Sequence, residues 1–138
     1  MDILRFLHTW IRWIVVVIAL IDLVYFAIGW LQARAYDQMA RRMMLAFSMS
    51  ISIQWLVGLI YLIALGSVTG FGVRFYWEHA VAMTIAVFVA NVPSILRRRP
   101  LTDKQRFLVN VGSIIAVIIL VIIGISALPE AIRWRFSA

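Results

Sequence analysis

Four stretches of this chain are apolar almost without interruption: residues 13–31, 43–65, 80–96 and 107–128. A hydrocarbon core of about 30 Å is crossed by about 20 helical residues, so each stretch reads as a transmembrane helix. Their flanks extend the expected spans to about 5–32, 41–66, 77–97 and 105–128, with Tyr76 and Trp77 as an aromatic anchor before the third. Gly66, Gly70 and Gly72 mark a break between the second and third spans, and Pro93 predicts a kink near the end of the third. The joining segments are short, and nothing is left over for a soluble unit. Residues 1–138 are therefore expected to form one domain, an all-α integral membrane protein built as a four-transmembrane-helix bundle. The tail 129–138, with Arg133-Trp134-Arg135-Phe136, reads as an interfacial anchor.

The basic residues set the expected orientation. Arg34, Arg41, Arg42, Arg97, Arg98, Arg99, Lys104 and Arg106 fall on one side, eight in all, against five on the other: Arg5, Arg12, Arg74, Arg133 and Arg135. The positive-inside rule then puts the first set in the cytoplasm and both termini on the outer side. The first apolar stretch is of full span length with no small-residue cleavage site after it, so it reads as a span rather than a cleavable signal.

Composition narrows the chemistry. The chain is 64% hydrophobic and 14% charged, far from the balance of a soluble domain. Its net charge of +7 is distributed as short topology-setting runs, not as a basic stripe interleaved with aromatics, which argues against nucleic acid as a partner. There is no cysteine, which removes disulfides, thiolate metal sites, iron–sulfur clusters and covalent c-type haem. No nucleophile–base pair, zinc motif or phosphate loop is present, so hydrolase and transferase readings have no support, and no catalytic residue is assigned. A transporter would need more intramembrane ionisable groups and a pair of broken helices.

Polar residues inside apolar spans are costly and therefore informative. Helical spacing puts His8, Arg12, Ala19, Asp22 and Phe26 on one stripe of the first helix, which should face the bundle interior. Asp22 is expected to pair with Gln54, Tyr61 or a serine, and Arg74 with Glu78. The second helix carries Ser50, Gln54, Gly58 and Tyr61 on one face, and Gly58 permits close approach by a helix or a planar cofactor. Ser48, Ser50 and Ser52 are expected to bond back to their own helix. The third helix opens on Glu78-His79, with Met83 one turn deeper as an alternative ligand.

His8 and His79 are the two histidines of the chain. The first and third helices run in the same direction and each begins outside with its histidine, so the two imidazoles lie at similar depth. A six-coordinate haem iron takes two such axial donors. Arg5, Arg12 or Arg74 would neutralise haem propionates, and Trp10, Trp13, Phe75 and Tyr76 would wall the macrocycle. The alternative is that each histidine only bonds to a loop or a headgroup at the membrane boundary, since two histidines do not define a metal site by spacing.

Three motifs carry a resemblance: Leu7-His8-Thr9-Trp10-Ile11-Arg12-Trp13, Gln54-Trp55-Leu56-Val57-Gly58-Leu59, and Glu78-His79-Ala80-Val81-Ala82-Met83. Together they resemble a family of small bacterial four-helix membrane proteins labelled "cytochrome b". The resemblance implies haem b ligated by His8 and His79, with Arg12 and Gln54 as companions; Gly58, from its place on the second helix face, joins them as a cofactor-binding candidate. The fourth helix lacks a histidine, so the two-haem diagonal arrangement is not expected. The function expected is electron transfer to or from quinol or a partner, in the bacterial inner membrane, within a larger respiratory or photosynthetic complex. Two alternatives stand beside it: a non-catalytic accessory subunit of such a complex, and ligation of bacteriochlorophyll by the same histidines.

Overall fold

The structure, a computed structural model, describes residues 2–129; residues 130–138 of the expected interfacial tail, with its two arginines, lie outside the described residues. Among the described residues the regular secondary structure is all helical. Helix α1 spans Asp2–Leu31, α2 Gln38–Thr69, α3 Arg74–Ala90, α4 Val92–Ile95 and α5 Asp103–Ser126, with a single 3₁₀ turn, Leu96–Arg98, after α4. Four helical segments are long and apolar enough to cross a membrane: α1, α2, the α3–α4 unit through Arg98, and α5.

Local chemistry sets the helix ends. Asp37 caps α2 by accepting from the Ala40 amide at 3.0 Å. Thr102 and Gln105 form a capping box at the start of α5, with bonds of 2.9 and 3.2 Å. The glycine-rich connection is shorter than the sequence suggests. Gly66 is a helical residue, buried where the Phe71 ring folds back over it, and the chain leaves α2 only at Gly70, whose φ of 90° suits glycine.

Pro93 interrupts the third span as expected, in the first turn of α4 just after a break at Asn91. Proline brings no N–H to the carbonyl four residues back, that of Val89. Ser113 on α5 fills the vacancy, donating its hydroxyl to Val89 O at 2.7 Å. The Ser48, Ser50 and Ser52 hydroxyls bond back to Leu45, Phe47 and Ser48 carbonyls at 3.1, 2.8 and 2.6 Å, as the sequence predicts.

The four long helices form a ring in which α1 packs on α2 and α5, and α3 packs on α5 and α2. Helices α1 and α3 therefore face one another across a diagonal. The apolar core lies between the loops 32–37 and 99–102 and the bundle centre. It is built from Phe26, Phe47, Phe107, Ile114 and Val117, with Ala86 and Ala90 contributed by α3. Phe107 fits because Gly29 has no side chain: a Cβ there would stand 2.6 Å from its ring. The exterior carries Leu20, Ile21, Val24, Ile60, Ile63, Ile85 and Ile119 among many exposed apolar side chains, a surface suited to hydrocarbon and not to water.

Asp22 departs from expectation in its partners. It is buried, 3% exposed, on the predicted stripe with Ala19 and Phe26, but its Oδ2 receives no hydrogen bond. The reason is axial position. Helices α1 and α2 run in opposite directions, and Gln54 stands opposite His8, 14 residues or about 21 Å of helix away from Asp22.

Candidate functional site

The half of the bundle beyond this core encloses a cavity of about 230 Å³. Its walls come from all four long helices, and His8, Arg12, Gln54, Gly58 and His79 all line it, as do Met83, Tyr61 and Arg5. The sequence-derived constellation is thus assembled in one place. Towards the core the lining becomes apolar, with Val16, Ile51, Val87 and Val121.

The two histidines meet across the diagonal. Their ring centres are 6.5 Å apart and their planes stand at 87°. His79 is oriented by α5: its Nδ1 lies 2.9 Å from the Gly124 carbonyl, which can only accept. That bond fixes the proton on Nδ1 and leaves the Nε2 lone pair of the neutral ring available. Gly124 is buried, and a Cβ there would run into the Met83 methyl and approach Ala82 Cβ at 3.1 Å. Its lack of a side chain brings the α5 carbonyl within reach of His79.

His8 is held differently. Gln54 donates from Nε2 to the His8 backbone carbonyl at 2.8 Å, fixing α2 against the start of α1. Gly58 lies against the imidazole edge: a Cβ there would stand 3.0 Å from His8 Cε1 and 3.4 Å from Nδ1. The Tyr61 ring centre is 6.2 Å away. His8 Nδ1, Gln54 Oε1 and Arg5 Nε are buried and lack hydrogen-bond partners, three polar atoms around one cavity. Such atoms are costly to leave unsatisfied, which points to a ligand or water among them.

Other expected members lie elsewhere. Of the four aromatics expected as walls, Tyr76 lines the cavity, whereas Trp10, Trp13 and Phe75 do not. Trp10 faces outward, and Trp13 carries the Arg12 guanidinium 5.1 Å above its ring. Arg74 is 91% exposed and pairs with Glu78 at 2.6 Å, as expected, so it is absent from the cavity wall. These differences follow from helix rotation, which turns only about a third of each α1 and α3 turn inward.

Comparison with protein-family models, characterised proteins and solved structures finds no match. The chemistry of the site must therefore be read from its own donors. A metal bound to imidazole lies about 2 Å from the nitrogen, so two rings on opposite sides of one ion have centres about 6 Å apart. The observed 6.5 Å leaves room for that arrangement and is equally the spacing of two rings in edge contact. Among the described residues no group of three or more His, Cys, Asp or Glu is available to hold an ion. A bare ion would thus be short of protein ligands, whereas a tetrapyrrole brings four nitrogens and needs only axial donors. The cavity lining includes two arginines and no acidic residue, which suits a ligand with anionic groups. The residues present fit a haem. Gly124 as the partner of His79 was invisible in the sequence, because nothing in spacing shows which α5 carbonyl stands beside α3.

Proposed function

We propose that this chain is a small b-type cytochrome-like subunit, spanning the bacterial inner membrane four times with both termini outside. It holds one haem b between His8 and His79 near the outer face. The observation that carries this reading is the pair of imidazoles on diagonal helices, 6.5 Å apart, in a cavity lined by two arginines and no acid. Bound haem supplies one-electron chemistry at its iron. The protein's own groups bind and orient it. His79, fixed on its Nδ1–H tautomer by Gly124, offers Nε2; His8 offers its ring from the opposite wall, steadied by Gly58 and by the Gln54 bond to its carbonyl. Arg5 and Arg12 answer the propionate charges, and the apolar inner wall keeps water from the macrocycle edge. One site near one face leaves transfer across the membrane to a partner, so the electron donor or acceptor is quinol or a neighbouring subunit of a larger complex.

The test is an absorption spectrum of detergent-purified protein, oxidised and dithionite-reduced, from cells supplied with haem precursor, for wild type, His8→Ala and His79→Ala. A sharp reduced α-band, lost or shifted in both variants, supports the reading. A colourless wild type overturns it in favour of an accessory subunit, and long-wavelength bands would indicate bacteriochlorophyll.

A further inference from the structure

The four sides of the bundle are not equally closed. The buried core side chains of α1, α2 and α5 include Phe26, Met44, Phe47, Ile51, Phe107 and Ile114, whereas the fully buried ones of α3 are Ala86 and Ala90, with the partly buried Val87 and Val89 packed against the cluster. Between α2 and α3, two side-chain hydrogen bonds span the seam. One is long: Asn91 Nδ2 to Ser52 Oγ at 3.4 Å, towards the core end. The other is short: Trp55 Nε1 donates to Thr84 Oγ1 at 2.9 Å, and the Thr84 hydroxyl in turn donates to Ala80 O at 2.8 Å. Trp55 and Thr84 both line the cavity, and Thr84 is exposed while Trp55 is half-buried. A lone indole N–H facing hydrocarbon is costly, and Thr84 satisfies it only while the seam is closed.

We propose that the cavity exchanges a tetrapyrrole with the bilayer sideways, through the α2–α3 seam, and that the Trp55–Thr84 hydrogen bond latches this opening. The proposal rests on the reading of the cavity as a tetrapyrrole site. A flat apolar macrocycle resides in the bilayer with its carboxylates near the interface. Sliding between α2 and α3 keeps its body in hydrocarbon and brings its carboxylates to Arg5 and Arg12. The path through the arginine-lined part of the cavity would drag the apolar edge past charge.

The chain has no cysteine, so the double variant Trp55→Cys/Thr84→Cys carries two thiols only. Reconstituted in phosphatidylcholine vesicles, it is compared before and after bridging with a short bismaleimide, which keeps the polypeptide identical. Hemin uptake is read from growth of the Soret band, and hemin loss from transfer to apomyoglobin. Metal-free protoporphyrin IX, which needs no axial ligand, is followed in parallel by fluorescence. Bridging is expected to slow uptake and loss at least tenfold. Thr84→Val, which removes the latch at constant volume, is expected to speed loss about fivefold, the factor for one ordinary hydrogen bond, with an unchanged spectrum. Equal rates with and without the bridge overturn the seam as the route. Bridge-sensitive protoporphyrin exchange without hemin binding would uphold the route and reject the iron reading. Failure to bind either porphyrin rejects both.

Discussion

Ser113→Ala tests whether the proline break in the third span is repaired by a neighbouring helix. The perturbation removes one oxygen from a site that is 6% exposed, so packing hardly changes. What it leaves behind is the Val89 carbonyl, deprived by Pro93 of a backbone donor and now of the Ser113 hydroxyl, 2.7 Å away in the native protein. Stranding a buried acceptor costs about 1–3 kcal/mol, whereas interhelical hydrogen bonds in membrane proteins average about 0.6 and reach about 1.7 kcal/mol. Val89 lies nine residues, about 14 Å of helix, from the end of its helical unit at Arg98, and its carbonyl faces α5. The cost should therefore approach the upper figure, about 1.5 kcal/mol. The control is Pro93→Ala, which restores an N–H able to reach Val89 O directly. In that background Ser113→Ala should cost no more than about 0.5 kcal/mol, giving a coupling of about 1 kcal/mol. Reversible unfolding in mixed micelles, read by circular dichroism for all four proteins of the cycle, measures it. Equal costs in the two backgrounds would refute the argument.

Two further predictions concern the two ends of the bundle. Gly58→Ala places a Cβ 3.0 Å from His8 Cε1, so the ring must retreat by a few tenths of an ångström; hemin affinity should fall on the order of tenfold by spectral titration, and an unchanged affinity would remove Gly58 from the site. Between α1 and α2, burial pushes the Tyr36 phenol up from its ordinary range, against the Asn110 hydrogen bond of 2.8 Å and the nearby Arg106 and Arg41. A raised folded-state value means that its contribution is complete below the unfolded phenol's pKa of about 10 and is lost as pH climbs through the folded value. The alkaline fall in stability above pH of about 10 should therefore be shallower in Tyr36→Phe than in wild type, measured by thermal unfolding across that range.

The site was partly legible in the sequence because its polar residues are rare against an apolar background. His8, Arg12, Gln54, Gly58 and His79 each stood out, and parallel directions for the first and third helices put the histidines at one depth. Their helices being diagonal, with imidazoles 6.5 Å apart, is a property of the packed ring that no single helix specifies. The misplaced aromatics show the same boundary. Trp10 and Trp13 lie close to His8 in sequence, but side-chain direction on a helix depends on rotation, which contacts with α2 and α5 decide.

Helix number, approximate ends and the positions of breaks were determined locally, by apolar length, by Asp37 and Thr102 as caps, and by Gly70 and Pro93. These need only the chain's own geometry and its dislike of water. Partner choice needed the tertiary structure. Asp22 was matched in the sequence with Gln54, Tyr61 or a serine, yet antiparallel packing carries Gln54 and Tyr61 away towards His8, and the Ser48, Ser50 and Ser52 hydroxyls donate to their own helix. Ser113 and Gly124 lie on a fourth helix whose sequence is nearly featureless, yet they are respectively the donor to the carbonyl freed by Pro93 and the acceptor that orients His79. A hydrogen bond between helices depends on relative height and rotation, and those are fixed only when all four helices pack together.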